Sequence, residues 1–239
     1  MVLLIFTIRT FVRNSAWKDN FTLFTTDVKV SANSVKCNVS AGGDYQKKAA
    51  LETDTAKKAE YYRLSLNYLE RAISIYPNAG NGLLLYGNGL SLYKKEHKLA
   101  IVQYLKILDF DPYNQNAFSN TLQVLNSIDS KLEPDYKISV LKQLFAKNPE
   151  NADVNYNLGK LYGQFKGNPD SACYFLERSI NLNPTNISVH KDLGIVYSMK
   201  GEYTKALDIF SRAGKLDPSD NQIRQNIQIT LHLMDQKRK

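Results

Sequence analysis

Cysteine is nearly absent. The chain of 239 residues holds two, Cys37 and Cys173. Neither belongs to a Cys-x-x-Cys pair or a Cys/His cluster, so a zinc site is unsupported. They fall in distant parts of the chain, which argues against a disulfide. Histidine is as scarce, with only His97, His190 and His232. His97 lies between two helices, at a position expected to be solvated. His190 stands where a packing aromatic belongs, and His232 is on the last helix. No nucleophile elbow, phosphate loop or metal-ligand spacing appears. No catalytic residue, metal or cofactor is therefore expected, and the chain is not expected to be an enzyme. Twelve glycines and seven prolines are too few for a disordered chain or a turn-rich all-β protein. The apolar run Val2 to Val12, VLLIFTIRTFV, is shorter than the ~20 residues that span a bilayer and carries Arg9.

What is present is an ordinary globular composition, 43% hydrophobic and 23% charged, with 15 Tyr and 10 Phe to fill helix–helix contacts. The net charge of +8 is uneven. Residues 1–100 carry 14 Lys/Arg against 8 Asp/Glu, and residues 101–239 carry 17 against 15. No nucleic-acid motif accompanies the excess, so a solvated or membrane-facing surface is expected, with no nucleic-acid partner.

Proline recurs at Pro77, Pro112, Pro149, Pro184 and Pro218, at spacings of 35, 37, 35 and 34. The clearest unit, 187–220, places Leu193-Gly194 and Tyr197 on one helix, Ala206, Phe210 and Ala213 on the next, and Pro218 at its end. Small residues at Gly194 and Ala206 permit close helix approach. Tyr197 and Phe210 fill the spaces between pairs, and Ala213 leaves room for the following pair. Pro218 cannot continue a helix interior. The preceding unit repeats the scheme with Gly159, Tyr162, Ala172, Leu176 and Pro184. The unit at 80–114 does so with Gly87, Ala100, Tyr104 and Pro112. Each of these two has one extra residue in its turn. These spacings match the ~34-residue helix–turn–helix of the tetratricopeptide repeat (TPR), which the chain closely resembles.

The expected fold is all-α, a TPR α-solenoid: a right-handed superhelix of antiparallel helix pairs. Its expected parts are 1–14, a leading segment; 15–32, a lone leading helix; 33–79, a first pair lengthened by the polar insertion Asp44 to Lys58; pairs at 80–114, 115–151, 152–186 and 187–220; and a capping helix at 221–239. The 115–151 pair is off-consensus, with Leu122 where glycine belongs and Lys137 where alanine belongs. Its helices are expected to pack further apart or shifted. Asp109, Asp111, Asp217 and Asp220 flank proline at the junctions, where Asp caps helices.

In this architecture the first helix of each pair lines a groove. Counting the glycine as position 8, position 6 faces it, and there the sequence places Asn120, Asn157, Asp192 and Asn226; Leu85 breaks the series earlier. Amides in register hydrogen-bond an extended peptide backbone without reading its sequence. Polar residues also simply suit an exposed helix face, and both readings stand at this point. Tyr156, Lys160 and Lys191 are neighbouring groove candidates. The set is not basic enough to resemble the clamp with which co-chaperone TPRs hold a terminal carboxylate. The expected partner is a protein or peptide segment.

The first residues admit two readings: a first solenoid helix, or the end of a membrane helix with Arg9, Arg13 and Trp17 at the headgroups. Arg13-Asn14, Trp17-Lys18-Asp19-Asn20, Thr22-Leu23-Phe24, Asp27-Val28 and Asn33-Ser34-Val35-Lys36 together resemble a known junction. In membrane-embedded glycosyltransferase-like proteins of Bacteroidetes type, relatives of the transmembrane TPR O-mannosyltransferases, such a motif joins the last membrane helix to the TPR array. The resemblance covers residues 1–43. It implies membrane attachment, an extracytoplasmic TPR region and an active site outside this chain. The arginine flank itself favours the cytoplasmic side.

Overall fold

The computed structural model describes Thr10, Asn14 and residues 16–237. Helices account for the regular structure of these residues. Most of the Val2–Val12 run, on which the membrane-helix reading rests, lies outside them, as do Arg238 and Lys239. Among the described residues no helix is long and apolar enough to cross a membrane.

Two units divide the chain, Met1–Ser127 and Ile128–Lys239. The first contains a 3-10 turn at Ala16–Lys18 followed by α1 (Asn20–Val30), α2 (Val35–Leu51), α3 (Thr55–Ile75), α4 (Gly80–Gly89), a π-type turn (Leu90–Lys94), α5 (His97–Phe110) and α6 (Gln115–Ser127). The second contains α7 (Pro134–Lys147), α8 (Ala152–Phe165), α9 (Pro169–Leu182), α10 (Ile187–Met199), α11 (Tyr203–Leu216) and α12 (Asn221–Lys237). The division falls between α6 and α7, inside the stretch whose sequence departs most from the repeat. Within each unit, successive helices pack on one another.

Short polar side chains start these helices. Asp19, Ser34, Asp54, Asn151, Asn168 and Asn186 each accept a hydrogen bond from a backbone N–H two or three residues on. Each thereby satisfies a donor that the first turn leaves orphaned. Asp220 caps α12 in the same way, accepting from Gln222 N–H at 2.8 Å. Asp217 instead holds the turn before it through Ser219.

The pairs close through glycine. A Cβ at Gly42, Gly87, Gly159 or Gly194 would come within 2.5–2.6 Å of Leu69, Tyr104, Leu176 or Phe210, the large residue of the partner helix. Those four large side chains are fully or almost fully buried. Each such burial contributes ~1.5–3 kcal/mol, which is available only because the opposing helix carries no side chain there. Ala72, Ala100, Ala172, Ala206 and Ala213 are likewise fully buried, where the repeat requires small residues.

The off-consensus lysine has a specific place. Lys137 is 5% exposed, and its ammonium donates to Ile128 O at 3.1 Å and Ser130 Oγ at 2.8 Å. It thus holds the connection ahead of α7. Burial pushes its pKa below the usual lysine range, with Lys160 acting in the same direction.

A second device recurs at the fourth residue of first helices. Asn38 Nδ2 donates to Ala32 O and Ser34 O, both at 2.8 Å. Asn155 Nδ2 donates to Pro149 O at 2.9 Å and Asn151 O at 2.8 Å. His190, 3% exposed, has its Nδ1 3.0 Å from Asn186 O. The buried packing expected of His190 is therefore accompanied by a polar tie to the preceding turn. His97, expected in solvent, is instead half-buried, with Nδ1 3.2 Å from Ser91 Oγ.

Candidate functional site

The face presented by the first helices carries the predicted residues, and the two units treat it differently. In the first unit, Asn120 is not a free amide. Its Nδ2 donates at 2.9 Å to Asn88 Oδ1, which also accepts from the Tyr104 hydroxyl at 2.8 Å. Burial pushes the Tyr104 phenol up to about 12. This triad forms one wall of a cleft of ≈ 350 Å³ that Ser91, His97 and Gln123 also line. Asn88 is the hub. Sequence reasoning passed over it because an asparagine one turn beyond the groove register carries no distinguishing mark.

In the second unit, α8, α10 and α12 place Asn157, Asp192 and Asn226 at the same position of three successive first helices, 35 and 34 residues apart. Asn157 turns its amide back to Asp153 O at 2.8 Å, an i to i−4 bond within its own helix. Asp192 is half-buried and lies beside Tyr156. Burial raises its carboxyl above the usual range, while Tyr156, Lys160 and Lys191 pull it down. Tyr156 rises too, first through burial and then through the Asp192 charge, while a hydrogen bond with Ser188 opposes the shift. Lys160 is exposed. Lys191 reaches forward to α12, with Nζ 2.9 Å from Asp220 Oδ2 and 3.1 Å from Gln222 Oε1. That contact holds Asp220 below the usual carboxylate range. Asn226 Nδ2 is buried with no hydrogen-bond partner.

The second unit thus brings Tyr156, Lys160 and Lys191 within electrostatic reach of Asp192. The acceptor Asp192 and the unsatisfied donor Asn226 follow in the same register. Sequence reasoning read Asp220 only as a helix cap; its second carboxylate oxygen also holds Lys191. Among the described residues no group of His, Cys, Asp and Glu is arranged to hold a metal ion. Cys37 and Cys173 are free thiols. What the arrangement offers is hydrogen bonding along a helix face.

Stacked helix pairs closed by glycine define an all-α repeat protein. Residues 152–208 carry tetratricopeptide repeats: two family models described by that name match residues 152–186 and 175–208. Among curated proteins, anaphase-promoting complex subunit 3 of Schizosaccharomyces pombe is 25% identical over 187 residues, covering 72% of this chain and 27% of that protein. Tetratricopeptide repeat protein 21A of Homo sapiens is 24% identical over 179 residues, covering 67% of this chain and 14% of its own. The chain therefore spans about a quarter or less of these relatives. Among solved structures, YrrB, described as a TPR protein with an unusual peptide-binding site, superposes with a TM-score of 0.55 at 18% identity, covering 87% of this chain and 96% of its own. MamA superposes with a TM-score of 0.51 at 23% identity, covering 70% and 96%. These likenesses establish the fold.

Proposed function

We propose that the chain is a non-catalytic TPR scaffold whose second unit takes up an extended segment of a partner protein along α8, α10 and α12. The observation that carries this reading is Asn226 Nδ2, a buried donor without an acceptor, in register with the desolvated acceptor Asp192. Buried polar groups in native proteins are almost always paired, so an orphan on a binding face marks where a ligand group belongs. An extended chain presents a carbonyl and an N–H alternately, which suits a donor and an acceptor in succession. Tyr156 and Lys160 flank this line.

The test is a peptide selected from a random 12-residue display library against the wild-type chain. Asn157→Ala combined with Asn226→Ala weakens its binding at least tenfold while the far-ultraviolet circular dichroism stays unchanged. An unaltered affinity with intact helicity refutes the groove.

A second reading concerns attachment. The Arg13-Asn14 and Trp17 to Asn20 signature favours tethering of the array to a membrane through residues 1–14, as the carboxy-terminal part of a glycosyltransferase-like protein whose chemistry resides elsewhere. Co-flotation of the full chain with phospholipid vesicles, lost when residues 1–14 are removed, is the expected result. Equal behaviour of the two chains sinks it.

A further inference from the structure

The first unit holds a cleft of different character on its first-helix face. It measures ≈ 340 Å³ and runs between α2 and α4, with α1 contributing Phe24. Its walls include Val39, Leu84 and Leu85, all half-buried. Leu85 occupies the register position that Asn120 holds in the next pair of the same unit, so this stretch of the face is apolar where the next is polar. Gln46 Nε2 donates to Leu85 O at 2.7 Å and fixes α2 against α4.

Asp44 lines this apolar cleft and is 6% exposed. One carboxylate oxygen, Oδ1, receives the Lys47 ammonium at 2.9 Å. The other, Oδ2, is buried with no partner. Lys47 itself is loosely held, its side chain 77% exposed and only one turn away. A half-filled carboxylate among aliphatic walls asks for a donor that brings its own apolar stem.

We propose that this cleft receives an arginine or lysine side chain of a partner protein, its methylene stem against Val39, Leu84 and Leu85 and its cationic head on Asp44. A turn of the carboxylate about χ2 exchanges its two oxygens, so the incoming head either adds to Lys47 or replaces it. A guanidinium fills both oxygens at once, which a single ammonium does not, so arginine is the better occupant. The site uses none of the residues of the second-unit groove, and failure of either leaves the other standing.

The probe is the peptide acetyl-Gly-Leu-Arg-Leu-Gly-amide, with its Gln and Lys counterparts, titrated into the full ¹⁵N-labelled chain. The Arg peptide shifts the amides of Gly43, Asn81 and Leu85 saturably, the Lys peptide less tightly, and the Gln peptide at least tenfold more weakly than Arg. Asp44→Asn removes that preference without lowering the thermal midpoint, because the carboxylate is only half satisfied in the free chain. Lys47→Ala, which removes the internal competitor, tightens Arg-peptide binding several-fold. Equal affinity for the Arg and Gln peptides, or no saturable shift, overturns the proposal. So does an Arg preference that survives Asp44→Asn, or weakened binding in Lys47→Ala. The last result decides the matter even if Asp44→Asn does not fold.

Discussion

Gly194 lies against the ring of Phe210: a Cβ built on the glycine would stand 2.5 Å from Phe210 Cε1 and 2.6 Å from Cζ. The ring is 1% exposed and cannot swing away without opening α10 from α11. This contact joins the first helix of a pair to the second, and the same geometry recurs at Gly42, Gly87 and Gly159.

Gly194→Ala is therefore expected to lower stability by about 1–3 kcal/mol, the usual cost of overpacking a filled core, despite the gain in helix propensity. Phe210→Ala costs about 3–5 kcal/mol through the cavity it leaves. The double variant should lose less than the sum of the two, because the alanine methyl occupies space the ring has vacated. Urea unfolding of the four chains measures the coupling. Simple additivity would show that the glycine does not serve the ring.

Gly163, one turn further along α8 than Gly159, has the opposite outlook. Its nearest neighbours to an added Cβ are Ala172 Cβ and Val196 Cγ2, both at 3.5 Å, an ordinary contact. Gly163→Ala should raise stability by about 0.5–1 kcal/mol, since only the backbone entropy of a helical glycine is at stake. A fall in the urea midpoint would contradict the spacing seen between α8 and its neighbours.

Asp192 makes stability depend on pH in an unusual direction. Its folded pKa lies above the ordinary 3.8 because burial disfavours the charged form. The folded chain then binds the proton more tightly than the unfolded one. This contribution is fully present below the unfolded pKa and is lost as pH rises through the raised folded value. Asp192→Asn, which can still accept from Tyr156, should unfold at a higher temperature than wild type near neutral pH. The difference should shrink as pH falls from the raised folded value towards about 4, the range of an unfolded aspartate, and change no further below it. Thermal midpoints of both chains between pH 3 and 7 check this, and a constant difference would argue against it.

The repeat was legible because its rules are steric. Gly87, Gly159 and Gly194 stand where only glycine fits, and a 34-residue rhythm of small residue, ring and proline survives without an alignment. The accommodation of extra residues was not legible. The 80–114 and 152–186 units each show one more residue than the pattern, and both end the first helix on a left-handed residue followed by an N–H that reaches six residues back. After α4 these are Lys95 at φ 58° and Glu96 N–H to Leu90 O at 3.0 Å, with the helix widened ahead of them into the π-type turn Leu90–Lys94. After α8 they are Gly167 at φ 55° and Asn168 N–H to Tyr162 O at 3.1 Å, with no such turn. A surplus residue shows in the count, whereas its place depends on which backbone distortion the packing tolerates. The groove residues were half legible. Helical register put Asn120, Asn157, Asp192 and Asn226 on one face, but an asparagine suits solvent, a neighbour's amide or a ligand equally well. Only the partners, Asn88 for Asn120, Asp153 for Asn157 and none for Asn226 Nδ2, distinguish them.

The side chains at the fourth residue of α2 and α8 shift the natural joints of the chain. Asn38 and Asn155 each reach six residues back, to a carbonyl that precedes their own helix cap. A module excised or recombined at the helix start would carry a sealed amide into its new surroundings and leave its acceptor with the old neighbour. The interchangeable block therefore begins at Ala32 or Pro149, ahead of the helix, and its frame differs from the one that the consensus suggests. Grafting or shuffling these repeats keeps the joint intact when the cut is made upstream of those carbonyls.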